Sequence, residues 1–171
     1  KKGGSILDAG CGSGRDCAYF VDLGFQVTGM DLSKNLLAIA KTDVPKATFV
    51  LGDLRHMPFP KEKFDAIWAC ASIVHIKHSE LRKVFSGFFT ILKPGGIVYI
   101  HAKKGEGEAY LEEPSIPGKK RFYSLFTGKQ LEEYCKQAGF LDVEVIDVGY
   151  TTAYANGKHS KEWIDCFAKK L

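Results

Sequence analysis

A short apolar run, Ser5–Ala9 (SILDA), leads directly into Gly10-Cys11-Gly12-Ser13-Gly14, and a helix-like stretch follows. This junction constrains the fold more than any other part of the 171-residue chain. Three glycines in five positions let the backbone take positive φ and let a ligand come close to it. Strand, glycine turn and helix in that order open a βαβ unit, and open parallel sheets bind ligands at such a turn.

The rest of the chain keeps the same alternation. Arg15–Leu23 carries Ala18, Tyr19, Val21 and Leu23 at near-helical spacing, with Gly24 as its C-cap. Gln26–Met30 reads as a second strand ending at Asp31. Ser33 caps a helix through Lys41 that turns Leu36, Leu37, Ile39 and Ala40 inward. Ala47–Leu51 and Phe64–Ala71 read as strands, joined by a loop holding Asp53, Pro58 and Pro60. Ser79 caps a helix to about Leu92, and Lys93-Pro94-Gly95-Gly96 turns into a strand over Ile97–Ala102. Residues 103–121, rich in Gly, Pro and charge, read as a long loop or lid rather than a domain linker. Thr127–Gly139 reads as a helix with Thr127 and Gly139 as its caps. Val143–Val148 and Glu162–Ala168 are late strands separated only by Tyr150–His159, and pair antiparallel as a hairpin at one end of the sheet.

Strands that are apolar on both faces suit a parallel sheet covered by helices. The expected fold is α/β: Rossmann-like and doubly wound, with a mostly parallel seven-stranded sheet, an antiparallel strand near one end and helices on both faces. Residues 1–171 form one domain on this reading. No apolar run reaches the ~18 residues of a membrane span. The net charge of +4, with short lysine clusters, does not argue for nucleic acid. Cys11, Cys17, Cys70, Cys135 and Cys166 are odd in number and form no CxxC pair. That disfavours a disulfide framework and a zinc knuckle, and predicts a reducing, cytoplasmic setting without a bound metal.

Asp31 ends the second strand, where a carboxylate accepts hydrogen bonds from ribose hydroxyls, so the expected ligand contains a nucleoside. A dinucleotide fingerprint is GxGxxG, but here the spacing is GxGxG and Arg15 stands at the third position. Asp8 directly precedes the loop. Its charge repels a pyrophosphate and attracts an ammonium or sulfonium group. S-adenosylmethionine carries both cations and no phosphate, so it is favoured over a nicotinamide dinucleotide.

The chain resembles the class I S-adenosylmethionine-dependent methyltransferases of small-molecule type. The resemblance rests on ILDAGCGSG at 6–14, GMDLS at 29–33, GDLRHMPFP at 52–60, FDAIWACASIVHI at 64–76 and LKPGGIVYI at 92–100. It implies that Gly10, Gly12 and Gly14 line the methionyl part of the cofactor, beside Cys11, and that Asp8 reaches its amino group directly or through water. By the same resemblance Asp31 holds the ribose hydroxyls with Leu32 against the adenine. Asp53 accepts from the adenine amino group beside Leu54, and the backbone at Cys70 closes over the sulfonium. The implied activity is methyl transfer to O, N, S or C of a small molecule, with S-adenosyl-L-homocysteine as product. Members usually carry helices before the first strand. This chain starts almost at that strand, so it reads either as a fragment or as one capped by residues 103–121. The [DN]PP[YF] signature of enzymes that methylate nucleobase amines is absent, Ala69-Cys70-Ala71-Ser72 standing in its place. The remaining readings are an NAD(P)-dependent oxidoreductase and a non-catalytic cofactor-binding partner of an active subunit. Nothing in the sequence indicates an oligomeric state.

Two histidines are candidate catalytic bases. His75 follows the fourth strand on the ligand side, and His101 ends the fifth; an imidazole titrates near neutrality and can deprotonate an acceptor. Against this stands packing or loop orientation by either ring. His56, His78 and His159 read as solvated. Cys11 reads as a packing residue even where it borders the cofactor. Tyr110, Phe122, Tyr123 and Phe126 either wall a substrate pocket or cover the sheet edge. Lys119-Lys120-Arg121 reads as a solvated run, and the Phe85–Leu92 aromatic stripe as core.

Overall fold

The computed structural model describes residues 3–112, 117–148 and 163–171. Apolar strands with helical crossovers build one seven-stranded sheet, with β1 (Ser5–Ala9), β2 (Gln26–Asp31), β3 (Thr48–Leu51), β4 (Phe64–Cys70) and β5 (Leu92–Lys103) in parallel contact. β8 (Leu141–Val148) and β9 (Trp163–Lys169) complete it in the order β3-β2-β1-β4-β5-β9-β8. β9 runs antiparallel to both of its neighbours. The late hairpin of the sequence reading is therefore present, and its second strand lies inside the sheet. The Tyr150–His159 connection and Glu162 lie outside the described residues.

Two apolar clusters sandwich the sheet. One gathers Leu7, Met30, Ile67 and Val98 with Phe85 and Phe88 of α3 (His78–Ile91) and Leu131 of α4 (Gly128–Ala138). The other gathers Val27 with Cys17 of α1 (Arg15–Asp22) and Leu37 of α2 (Lys34–Asp43). Val27 and Met30 have opposite parity on β2, as the two-residue period of a strand requires for a sheet buried on both faces.

Local chemistry sets most of the boundaries. Ser33 Oγ accepts from the Leu36 N–H at 3.3 Å, and Thr127 with Gln130 forms a reciprocal capping box. Gly139 ends α4 at φ +103°. Four expectations need correction. Ser79 is not the cap of α3: the helix starts at His78, whose N–H is capped from outside by Glu108 Oε1 at 2.7 Å, a partner no local pattern signals. Leu36 and Ile39 face outward, because only Leu37 and Ala40 of α2 fall on the side touching the sheet. Tyr19 and Leu23 of α1 are likewise exposed. Residues 103–121 are not simply a loop: β6 (Glu108–Glu112) pairs antiparallel with β7 (Lys120–Ser124) in a separate two-stranded ribbon.

Candidate cofactor site

From β1 the chain winds out to β2 and β3, then returns to β4 on the other side of β1. Direction reverses between β1 and β4, and a crevice opens at the carboxyl ends of such strands. The glycine loop is hung there by backbone bonds. Gly10 and Cys11 N–H both donate to the Met30 carbonyl, at 2.7 and 3.0 Å. Gly10 has φ +90°, and a Cβ there would lie 2.4 Å from Ser72 Cβ, so only glycine fits between the loop and the chain leaving β4.

Two cavities meet at Gly10. The first, about 260 Å³, is lined by Asp31, Leu32, Asp53, Leu54, Arg55, Ser72 and His75 among others. The second, about 250 Å³, is lined by Asp8, Cys11, Gly12, Asp16 and Cys70, with neighbouring loop residues. Together they reach the size of a site for a nucleoside-sized ligand. The sequence-predicted residues that line the cavities thus fall into two groups, Asp31, Leu32, Asp53 and Leu54 around the first and Asp8, Cys11, Gly12 and Cys70 around the second, with Gly10 shared. Gly14 lines neither cavity: a Cβ on it would press on Ala40, Phe49 and Val44, so it serves the packing of the loop on α2.

Asp31 holds the loop. Its Oδ2 accepts from Gly12 N–H at 2.9 Å and its Oδ1 from Ser33 N–H at 2.8 Å. Each oxygen keeps acceptor capacity for a ligand hydroxyl. Asp8 is buried, 3% exposed, and burial pushes its carboxyl up to about 7, although the Cys17 thiol donates to Oδ2 at 3.2 Å. A cation entering the second cavity would restore its charge. Burial also acts upward on Asp16, but the donors Arg15 and Trp68 Nε1 outweigh it and hold this carboxyl below its usual range. Burial pushes the Cys70 thiol up to about 11, so it stays protonated at neutral pH.

The candidate bases differ in placement. His75 lines the first cavity, and its Nδ1 lies 2.9 Å from the Phe122 carbonyl of β7. A carbonyl only accepts, so Nδ1 donates to it, and in the neutral ring Nε2 is then the atom with the lone pair. The His75 ring also packs on Tyr123 at 4.9 Å. His101 lines neither cavity. It is buried, stacked on Trp163, with Nδ1 2.6 Å from Asp165 Oδ1, an oxygen that also accepts from Tyr99 OH. His78 is not solvated: its ring bonds Tyr134 OH and the carbonyls of Gly107 and Leu125. Phe126 belongs to the core, while Tyr110 is exposed against Phe122.

Sequence reasoning missed Ser72, Ala71, Arg55 and Asp16 as lining residues. Ala71 takes a left-handed φ of +51°, strain that only the folded chain reveals. Ser72 lines the first cavity, while its Oγ is buried without a hydrogen-bond partner among the described residues. A glycine-lined cradle beside carboxylates with spare acceptor capacity is what a polar ligand in these cavities would complete.

A doubly wound sheet with a glycine turn and two adjoining cavities at the carboxyl ends of its parallel strands defines a protein of the Rossmann-like class. A family model described as "Methyltransferase domain" matches residues 6–96, and the chain belongs to that family, with the fold of class I S-adenosylmethionine-dependent methyltransferases. An uncharacterized methyltransferase of Synechocystis is 36% identical over 95 residues, which is 56% of this chain and 45% of that protein. A methyltransferase structure from Methanosarcina mazei superposes with TM-score 0.85 at 20% identity, covering 100% of this chain and 94% of that one. Phosphoethanolamine N-methyltransferase 2 of Haemonchus contortus, solved with phosphomonomethylethanolamine and S-adenosylhomocysteine, matches at TM-score 0.75 and 25% identity, over 99% of this chain and 50% of that one. The chain spans about half the length of the curated relatives it matches. No helix among the described residues is long and apolar enough to cross a membrane.

Proposed function

We propose that this chain transfers a methyl group from S-adenosyl-L-methionine to a small-molecule acceptor. The carrying observation is the pair of cavities joined at Gly10, one lined by Asp31 and Asp53 and the other by Asp8 and Gly12. In this reading Asp31 accepts from the ribose hydroxyls, Leu32 and Leu54 flank the adenine, and Asp53 accepts from its amino group. Asp8 meets the ammonium, Gly10, Cys11 and Gly12 follow the methionyl chain, and the Cys70 backbone borders the sulfonium. The bound cofactor supplies a methyl group that its sulfonium already makes electrophilic.

The chain's own work is then alignment, which contributes roughly 7–11 kcal/mol when geometry is well held. For an O–H or N–H acceptor, His75 Nε2 takes the proton as the new bond forms, and Phe122 keeps the ring in the tautomer with that lone pair. His101, held by Asp165, is better suited to shaping the wall beyond Cys70 than to meeting an acceptor. The small-molecule ligands of the Haemonchus contortus enzyme support a small acceptor. The unpaired cysteines support a reducing, cytoplasmic setting. Calorimetric titration with S-adenosylhomocysteine and with NADH tests the cofactor: binding of the first alone is expected, and tight NADH binding with no response to the first overturns it. Methyl release from labelled cofactor with a metabolite panel then tests the transfer, and silence across a broad panel would favour a non-catalytic partner.

A further inference from the structure

Arg55 folds back onto Asp53, two residues before it. Its backbone N–H and its Nε each lie 2.9 Å from Asp53 Oδ1, while Nε and Nη2 lie 2.9 and 2.5 Å from Oδ2. The remaining arm, Nη1, lies 3.1 Å from Glu80 Oε1 in the first turn of α3. A carboxylate offers about four lone-pair positions. Three N–H groups of Arg55 occupy about three, so Asp53 has room for about one further donor. Asp53 and Arg55 line the first cavity together, beside Asp31 and Leu32.

We propose that Arg55 is a positioning residue for the adenine end of the cofactor: it presents Asp53 to a single incoming N–H, and Glu80 anchors Arg55 in that pose. The proposal rests on the reading of the first cavity as the adenosine site. Adenine's exocyclic amino group brings such a donor at the edge of the ring. The same contacts keep the Asp53 carboxyl below its ordinary range, so it is an acceptor at neutral pH and never a competing donor. Without Arg55, Asp53 could swing to water or to a cation, and its preference for an amino-bearing purine would fade. Lysine is no substitute, because one ammonium cannot hold both oxygens of Asp53 in a planar fork while reaching Glu80.

The test compares S-adenosylhomocysteine with its 6-deamino analogue, identical except for the missing amino group, by calorimetry on the same protein samples. The unsubstituted protein should prefer the amino ligand by roughly 10–100-fold, as for a hydrogen bond to a charged acceptor. That preference should collapse toward unity in Asp53→Ala and in Arg55→Gln, and shrink part-way in Arg55→Lys and Glu80→Gln. An Arg55 that merely stiffened the loop would weaken both ligands alike and leave the ratio as it was. Because the ratio is taken within each variant, partial unfolding cancels. A full preference surviving in Arg55→Gln overturns this proposal alone, whereas failure of the unsubstituted protein to bind either ligand overturns the adenosine reading beneath it.

Discussion

Gly10 and Ser72 divide one small space between β1 and β4, where a Cβ on the glycine would stand 2.4 Å from the serine Cβ. Gly10→Ala therefore meets two costs, the clash and a φ of +90°. A loss of about 2–4 kcal/mol is expected in chemical denaturation, together with weakened S-adenosylhomocysteine binding. Adding Ser72→Gly should recover the steric part and leave about 1–2 kcal/mol of backbone strain. Equal losses with and without the second change would show that the clash is not the cause.

Asp8 makes both stability and binding depend on pH. Its folded value of about 7 lies above the ordinary 3.8, so from about 4 to about 7 the unfolded chain gives up a proton that the folded chain keeps. Stability falls across that window and the loss is complete above it. Asp8→Asn should raise the melting temperature of the ligand-free protein at pH 8 and change it little at pH 4. A ligand ammonium favours the ionised form, so binding at pH 6 should release about one proton, seen as a buffer-dependent heat. Buffer-independent heats would count against this contact.

Asp31 ties Gly12 and Ser33 together, and its replacement by Asn turns an N–H2 toward one of those two N–H donors. Ligand affinity should fall more than about tenfold, since each lost bond to a charged acceptor is worth about 1.5–3 kcal/mol. Amide exchange at Gly12 should quicken in parallel. Unaltered affinity in Asp31→Ala would remove the ribose contact from the site.

His75→Gln keeps an N–H for the Phe122 carbonyl but loses the basic lone pair. Methyl transfer to an O–H or N–H acceptor should slow by roughly 10²–10⁴-fold while S-adenosylhomocysteine binds as before. A matching drop in ligand affinity would assign His75 to the shape of the cavity instead.

Much of this was legible because local chemistry wrote it. Ser33, Thr127 and Gly139 announced helix ends through caps that act within three residues, and the glycine loop with Asp8 and Asp31 announced the crevice where the two cavities lie. What stayed hidden depends on distant partners. Glu108 caps α3 from 30 residues away, and Gly14 resembles its two companions in sequence but meets Ala40, Phe49 and Val44 in space. Arg55 carries no local signal of a role within GDLRHMPFP, because its direction is fixed by Glu80 on another element. The ribbon of β6 and β7 was hidden because its Gly, Pro and charge content is that of a loop, and its pairing shows only in register.

The placement of β9 sets an order of assembly. β5 and β8 are made before it, yet neither can pair with the other, because β9 comes to lie between them. Until Trp163–Lys169 has left the ribosome, the growing chain carries an open edge on β5 and a β8 with no partner strand, both able to bond to other chains. Among the described strands the keystone is thus the last to be made, and ribosome-bound chains halted short of it should be the ones that engage chaperones.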